Sequence, residues 1–304
     1  DAALAQFVKE LNTGAVKGVI FFNCNPAYDT RFGAQIAQGI AKAQLSVSTS
    51  SVLDETAALT QFVAPDHYYL EAWGDAEPKK GHLSLAQPSI TPIFKTREAQ
   101  LSFLTWAGVT TTDYYTYLRD NWRSTYFTQQ TAEPIFDVFW DKALYKGVFD
   151  LPAVEAEALV YQGNANAAAA KILSAHKAGG AYELTVYDKV GLGNGQQANN
   201  PWLQEMPDPI TKATWDNYLT ISLATASELG VEMKEGNTQL VELTVNGQSM
   251  SIPAVVQPGQ ANGTVGIALG YGRSKAGSVG GGVGQNAYPL LTELNGATSY
   301  TIST

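Results

Sequence analysis

The spacing of apolar and polar positions first predicts an α/β region over residues 1–95. Apolar positions at helical intervals alternate there with short continuous apolar runs, which are typical of buried strands. The predicted helices are residues 3–11, 32–42 and 56–62, and the predicted strands are residues 19–22 and 45–47. Strand–helix–strand alternation with short loops predicts a doubly wound parallel sheet.

The pattern then changes from mostly helical over residues 97–180 to a period of two beyond Tyr182. The predicted helices are residues 100–107, 112–127, 135–144 and 153–159, with a boundary at Gly179-Gly180. The predicted strands are residues 183–187, 218–222, 239–245, 249–256 and 264–269, separated by turns such as Gly236-Asn237 and Asn246-Gly247. Many short strands with one crossover helix, residues 225–229, predict a small closed barrel.

The loop 199–217 interrupts this pattern with three prolines and two tryptophans. Each proline fixes φ and lacks a backbone donor, so a continuous helix or a central strand is excluded. Large aromatics in such a loop pack beneath it or contact a partner. We expect Trp202 and Trp215, together with Trp73, to be interface anchors.

Composition excludes several classes of protein. The net charge of −9 and the lack of a basic run disfavour a nucleic-acid partner, and no apolar run is long enough to cross a membrane. Cys24 is the only cysteine, so this chain forms no internal disulfide and no cysteine-held iron–sulfur cluster. Its thiol is predicted to be buried and structural. The chain starts at Asp1, and we expect it to be an excised or processed piece.

Weak candidate sites remain. The three histidines, His67, His82 and His176, have no metal-ligand spacing. His67 and Glu71 would share a helical face, although a hydrogen-bonded loop anchored by Trp73 is the favoured interpretation. Arg273 follows glycines that allow close backbone approach, and its guanidinium could bind a carboxylate or a phosphate.

Together, several blocks of the sequence resemble the molybdopterin oxidoreductase superfamily (dimethyl sulfoxide and polysulfide reductase type). The resemblance extends to the molybdopterin-like region of the large iron–sulfur subunit of alternative complex III, a bacterial quinol-oxidising complex. The blocks are Asn25-Pro26 and residues 54–57, 65–75, 87–90, 200–217, 257–259, 270–273 and 286–290.

This resemblance implies two domains and a set of cofactor contacts. Residues 1–180 would be the α/β domain with a helical segment, and residues 181–304 a double-psi β-barrel domain. The positions that correspond to pterin-dinucleotide contacts, functional or vestigial, are Asn25, Glu55, Thr56, Asn200, Arg273 and Asn286. No residue of this chain is predicted to be catalytic or to bind a metal.

The sequence also departs from the cofactor-binding relatives. Their metal ligand and cluster cysteines lie in regions outside this chain, and iron–sulfur clusters are expected in the adjacent region. Where relatives have a Thr-Gly-Arg loop, this chain has Tyr187-Asp188-Lys189, which disfavours a bound pyrophosphate. We therefore expect no cofactor in this chain.

The function implied by the resemblance is a non-catalytic scaffold of a respiratory complex on the periplasmic side of the bacterial inner membrane. Its partners would be the iron–sulfur region, cytochrome c and quinol-oxidising membrane subunits. Two alternatives stay open. One is a fragment of an active molybdopterin-dependent oxidoreductase, for which molybdopterin would be the cofactor. The other is a carbohydrate- or peptide-binding protein that uses its aromatic loops.

Overall fold

The computed structural model describes residues 1–111, 113–152, 158–175, 180–232, 238–294 and 296–303. They form two compact units. The first comprises residues 1–46, 53–61 and 163–304, and the second comprises residues 47–52 and 62–162. The domain division between residues 180 and 181 stays a prediction.

The regular elements are numbered in chain order within the described ranges. The helices are α1 Ala2–Thr13, α2 Gly33–Ile40, α3 Ala99–Trp106, α4 Tyr114–Asn121, α5 Phe136–Lys146, α6 Ala165–Ala175, α7 Pro201–Glu205, α8 Leu223–Leu229 and α9 Gly277–Gly280. The strands are β1 Gly18–Phe21, β2 Leu45–Ser48, β3 Phe62–Val63, β4 Gly74–Lys79, β5 His82–Ala86, β6 Val148–Asp150, β7 Glu183–Tyr187, β8 Leu219–Ile221, β9 Leu240–Val245, β10 Gln248–Val256, β11 Thr264–Ala268, β12 Thr292–Leu294, β13 Ala297–Ser299 and β14 Thr301–Ser303.

In the first unit, α1 and α2 pack together over β1. Val8 and Leu11 of α1 and Ile36 and Ile40 of α2 form one buried cluster with Phe21. Their helical spacing places them on facing stripes, so burial removes this apolar surface from water. The chain leaves β1 through the turn that carries the first candidate site residues.

The first unit also contains a mixed six-stranded sheet, in the order β14-β7-β11-β8-β10-β9. The strand β11 is parallel to β7 and antiparallel to β8, while β10 is parallel to β8. Leu184, Ile221, Ile252 and Ile267 are fully buried in its core. The alternation of period two predicted β7 to β11 correctly, whereas β14 was not predicted and the closed double-psi barrel stays a prediction.

The second unit combines helices with an antiparallel sheet. Its sheet has the order β4-β5-β6, and the parallel pair β2–β3 is joined at Val47↔Phe62 and Ser48↔Val63. Trp122 and Trp140 are buried at the centre of its apolar cluster. Most aromatic side chains of residues 114–127 therefore contribute to packing.

Several predicted elements need correction. Residues 56–62 form a short 3₁₀ turn, Ala57–Leu59, followed by β3 instead of a helix. The predicted helix 112–127 consists of α4, a π-helical turn and a 3₁₀ turn. Tertiary packing and local turns override helical spacing in both segments. The strands β4, β5 and β6 were missed because β4 is rich in charged residues, while β5 and β6 are only five and three residues long.

One prediction about a single residue was also wrong, and three predictions fall outside the described residues. Cys24 is exposed, because it lies in the turn after β1. His67 and Glu71 lie in an irregular segment, which confirms the favoured interpretation of a hydrogen-bonded loop and excludes the alternative of a shared helical face. The turn at Gly236-Asn237, the residue His176 and most of the helix 153–159 lie outside the described ranges.

None of the helices in the described ranges combines the length and the apolar character needed to cross a membrane.

Candidate functional site

Three of the predicted site residues meet beside the turn after β1. The side-chain oxygen of Asn25, Oδ1, accepts hydrogen bonds from the Thr56 backbone N–H at 3.0 Å and from the Thr56 hydroxyl at 2.7 Å. The Asn25 amide donates to Glu55 Oε2 at 2.7 Å. Thr56 Oγ1 also accepts from the Ala27 backbone at 3.0 Å. These bonds join the turn to the segment 53–61.

A fourth predicted residue, Arg273, binds Glu55 directly. Arg273 Nη2 donates to Glu55 Oε2 at 2.7 Å, and Nε lies 2.9 and 3.0 Å from the two carboxylate oxygens. The backbone N–H groups of Ser274 and Lys275 donate to Glu55 Oε1 at 2.8 and 2.9 Å. Arg273 Nη1 donates to the Gly195 carbonyl at 2.7 Å. Glu55 therefore occupies the fork of the guanidinium.

This contact determines the charge state of Glu55. The side chains are largely buried, with 6% of Arg273 and 11% of Glu55 exposed. Burial alone would raise the pKa of Glu55, but hydrogen bonds from Arg273, Asn25 and the Lys275 backbone outweigh it and lower the pKa to about 2. The carboxylate is ionised throughout the physiological range.

Tyr28 and two glycines complete the wall around Arg273. The guanidinium lies 4.7 Å from the centre of the Tyr28 ring, and the Tyr28 hydroxyl donates to the Tyr271 carbonyl at 2.8 Å. A Cβ on Gly195 would lie 2.7 Å from the Gly270 carbonyl oxygen. This close approach requires glycine, and it brings the Gly195 carbonyl within reach of Arg273.

The other two predicted cofactor contacts have structural partners. Asn286 accepts a hydrogen bond from the Tyr288 backbone at 3.0 Å, and its amide lies at 3.5 Å from the Tyr28 carbonyl. Asn200 is the N-cap of α7, where its side chain accepts from the Trp202 backbone at 3.0 Å. Asn286 therefore lies near Tyr28, while Asn200 organises a helix end.

Lys189, which the sequence singled out as a departure, is buried beneath two tyrosines. Its ammonium donates to the Tyr271 hydroxyl at 2.9 Å and lies 5.2 Å from the ring centres of Tyr271 and Tyr218. Burial lowers the pKa of Lys189, and the nearby Asp208 and Asp216 partly oppose this shift. The amine thus supports packing behind β11 and is not presented to solvent.

Sequence reasoning missed Asn217, which fixes the backbone next to the site. The Asn217 amide donates to the Ala268 and Gln285 carbonyls at 2.9 and 2.8 Å, and its carbonyl accepts from the Gln285 backbone at 2.8 Å. The sequence marked its loop but gave no signal for this role, since the partners lie 51 and 68 residues away.

The three tryptophans predicted as interface anchors have different surroundings. Trp202 on α7 is 81% exposed. Trp215 is half-buried, and its backbone donates to the Gln204 carbonyl at 2.8 Å. In the second unit, Trp73 packs against Tyr115, with ring centres 4.6 Å apart. Of these, Trp202 has the surface that an interface anchor needs.

Other clusters offer less chemistry. Glu71 accepts from the Tyr68 and Ile93 backbones, and His67 pairs with Thr96, so both hold their own loop together. The second unit also has a shallow apolar depression of about 330 Å³. Its lining consists of Gln100, Phe103, Leu104, Ala107, Tyr114 and Tyr117.

At the level of the fold, this chain is similar to a solved structure. No protein-family model and no curated protein matches this sequence. Among solved structures, acetylene hydratase from Pelobacter acetylenicus matches with a TM-score of 0.64 at 11% sequence identity. The match covers 98% of this chain and 45% of acetylene hydratase. This match shows that the chain has the fold of the corresponding part of acetylene hydratase.

A pterin dinucleotide, the cofactor that the sequence resemblance implies, does not fit the side chains as they are arranged. The group that would bind its phosphates, the Arg273 guanidinium, already holds Glu55 and the Gly195 carbonyl. Asn25 and Thr56 bind one another. Among the described residues, moreover, no cluster of three or more His, Cys, Asp or Glu side chains could hold a metal ion.

Proposed function

We propose that this chain is a non-catalytic, molybdoenzyme-like scaffold domain of a membrane-bound quinol-oxidising complex of the alternative complex III type. The observation that carries the proposal is the Glu55–Arg273 contact. An arginine that binds a cofactor phosphate through its bidentate edge needs that edge free, because one edge cannot hold two anions at once. Here an internal carboxylate takes that place.

The partners and the location follow from the sequence resemblance. The scaffold would support an adjacent iron–sulfur region and dock cytochrome c and quinol-oxidising membrane subunits on the periplasmic side of the inner membrane. Trp202 supports a docking role, since a large, mostly exposed aromatic side chain is typical of an interface anchor.

Measurement of metal and pterin in the intact parent complex tests this function. Molybdenum and tungsten are quantified by mass spectrometry, and any pterin is released and measured by fluorescence. We expect neither metal nor pterin in a complex that still oxidises quinol. Stoichiometric metal and pterin would overturn the proposal and favour an active molybdopterin-dependent oxidoreductase.

The wild-type complex is preferable to an Arg273→Ala variant for the metal and pterin measurement. Removing the guanidinium would leave the Glu55 carboxylate partly buried without its main partner, which is strongly destabilising. Loss of a cofactor from that variant would then be indistinguishable from loss of folding.

A further inference from the structure

We propose that the loop 273–275 and Asn25 form a carboxylate receptor whose ligand in the wild-type chain is Glu55. The donors converge on one planar group. Arg273 and Asn25 bind Oε2, while Arg273 Nε and the backbone N–H groups of Ser274 and Lys275 bind Oε1.

The receptor is held in place without Glu55. Arg273 is 5% exposed, its Nη1 is fixed by the Gly195 carbonyl, and its guanidinium lies over Tyr28. The side chain of Asn25 is held by the hydrogen bonds that its Oδ1 accepts from Thr56. Because these bonds are independent of the carboxylate, removal of Glu55 should leave a preorganised set of donors facing an open volume.

The ligand class follows from the geometry. The two carboxylate oxygens of Glu55 accept hydrogen bonds from one edge of the guanidinium and from two consecutive backbone N–H groups. This set of donors matches a planar ligand with two oxygens, such as a carboxylate. In a Glu55→Gly variant, the carbon of formate would lie where Cδ of Glu55 lies in the wild type. That position is three bonds from Cα, so formate would not overlap with the backbone of residue 55. In Glu55→Ala the remaining Cβ is two bonds from that carbon, so formate should bind more weakly.

The test is the thermal melting temperature of the whole chain as a function of sodium formate, at ionic strength held constant with sodium chloride. Glu55→Gly should melt below the wild type in chloride. We expect formate to raise its melting temperature saturably, by about 2–4 °C at ten times the dissociation constant. Glu55→Ala should respond less, and wild type should not respond, because its receptor is full.

Two matched controls assign the effect to the receptor. Glu293→Gly removes a carboxylate that pairs with Arg31 at the surface, where the Glu293 side chain is 47% exposed, and it should not respond to formate. A Glu55→Gly/Arg273→Lys double variant should lose most of the response, because lysine cannot offer a planar fork.

Other outcomes decide against the receptor. The proposal would be overturned if formate raised the melting temperatures of Glu55→Gly and Glu293→Gly equally. It would also be overturned if inorganic phosphate, but not formate, raised the melting temperature of Glu55→Gly. Should Glu55→Gly fail to fold in chloride, its folded fraction is measured after refolding in formate. A gain over chloride supports the receptor, and no gain overturns it. These outcomes are independent of the metal content of the parent complex.

Discussion

Glu55 and Glu293 each pair with an arginine, but the surroundings of the two ion pairs predict different contributions to stability. Both form an ion pair with an arginine, but the Glu55 side chain is 11% exposed whereas Glu293 lies at the surface. Breaking a buried pair leaves an uncompensated charge, while an exposed pair contributes little because water screens it.

Replacement of Glu55 by glutamine should therefore destabilise the chain by about 3 kcal/mol, because Arg273 loses its counter-charge. Glu293→Gln is the control, for which we expect less than about 1 kcal/mol. The free energy of unfolding is measured by urea titration. Equal losses in the two variants would contradict the central role of the Glu55–Arg273 contact.

Acid should remove the stabilisation that Glu55 provides. Its pKa is lowered to about 2 in the folded chain, below its ordinary value in the unfolded chain. The contribution is thus complete above pH 4.5 and is lost as the pH falls toward 2. Half-buried Asp29 and buried Tyr28, whose pKa values burial raises, also face Arg273. Both residues are present in the wild type and in Glu55→Gln, so they do not distinguish the two proteins.

The measurement is unfolding free energy against pH for the wild type and for Glu55→Gln. We expect the difference between the two to be constant near neutrality and to shrink between pH 4.5 and pH 2. A difference that does not change with pH would show that the pKa of Glu55 is the same in the folded and unfolded chains.

At the scale of elements, the loop after β11 requires glycine at a close backbone crossing. Gly272 has φ +69°, and a Cβ there would lie 2.1 Å from the Asn286 nitrogen. Gly259 has φ +86°, but a Cβ there would meet nothing within 4 Å. Alanine substitutions at Gly272 and Gly259 therefore distinguish the cost of a left-handed backbone conformation, which applies to both, from the cost of a steric clash, which applies only to Gly272.

Gly272→Ala should cost about 3 kcal/mol or more, because both costs apply. Gly259→Ala should cost only about 1–2 kcal/mol, since conformational strain acts alone. Thermal and urea unfolding of the two variants check this ranking. A similar loss in both would mean that the backbone at residues 285–286 moves aside.

Some elements could be predicted from the sequence because their pattern is local. The strand β7 was predicted with its observed bounds, and β8 to β11 were predicted to within one or two residues. The strand β4 was missed because it contains Asp75, Glu77 and Pro78, which have low strand propensity. Antiparallel pairing with β5 stabilises β4 as a strand, although the sequence of β4 does not predict one.

At the scale of the whole molecule, the scaffold proposal makes a prediction about assembly. Trp202→Ala should change the stability of the isolated chain by less than about 0.5 kcal/mol, because the side chain is mostly exposed. The same substitution should weaken association with partner subunits. Co-purification of the parent complex, with stability measured in parallel, checks both parts.

Trp73→Ala is the matched control for packing. Trp73 contacts the buried cluster of the second unit, so its loss should destabilise the isolated chain by about 2 kcal/mol. If Trp202→Ala also destabilises the isolated chain, or if assembly is unchanged, Trp202 is not a docking residue.

The sequence by itself determined the order of most elements and the chemical types at the site. Apolar periodicity reflects which face of a helix or strand is buried, and Asn25, Glu55, Thr56 and Arg273 could be chosen because they occupy recognisable blocks. Only the tertiary structure decided that Glu55 and Arg273, 218 residues apart, meet. Hydrogen-bonding capacity is a property of the folded neighbourhood, so a side chain that looks free for a ligand in the sequence can be fully used within the chain.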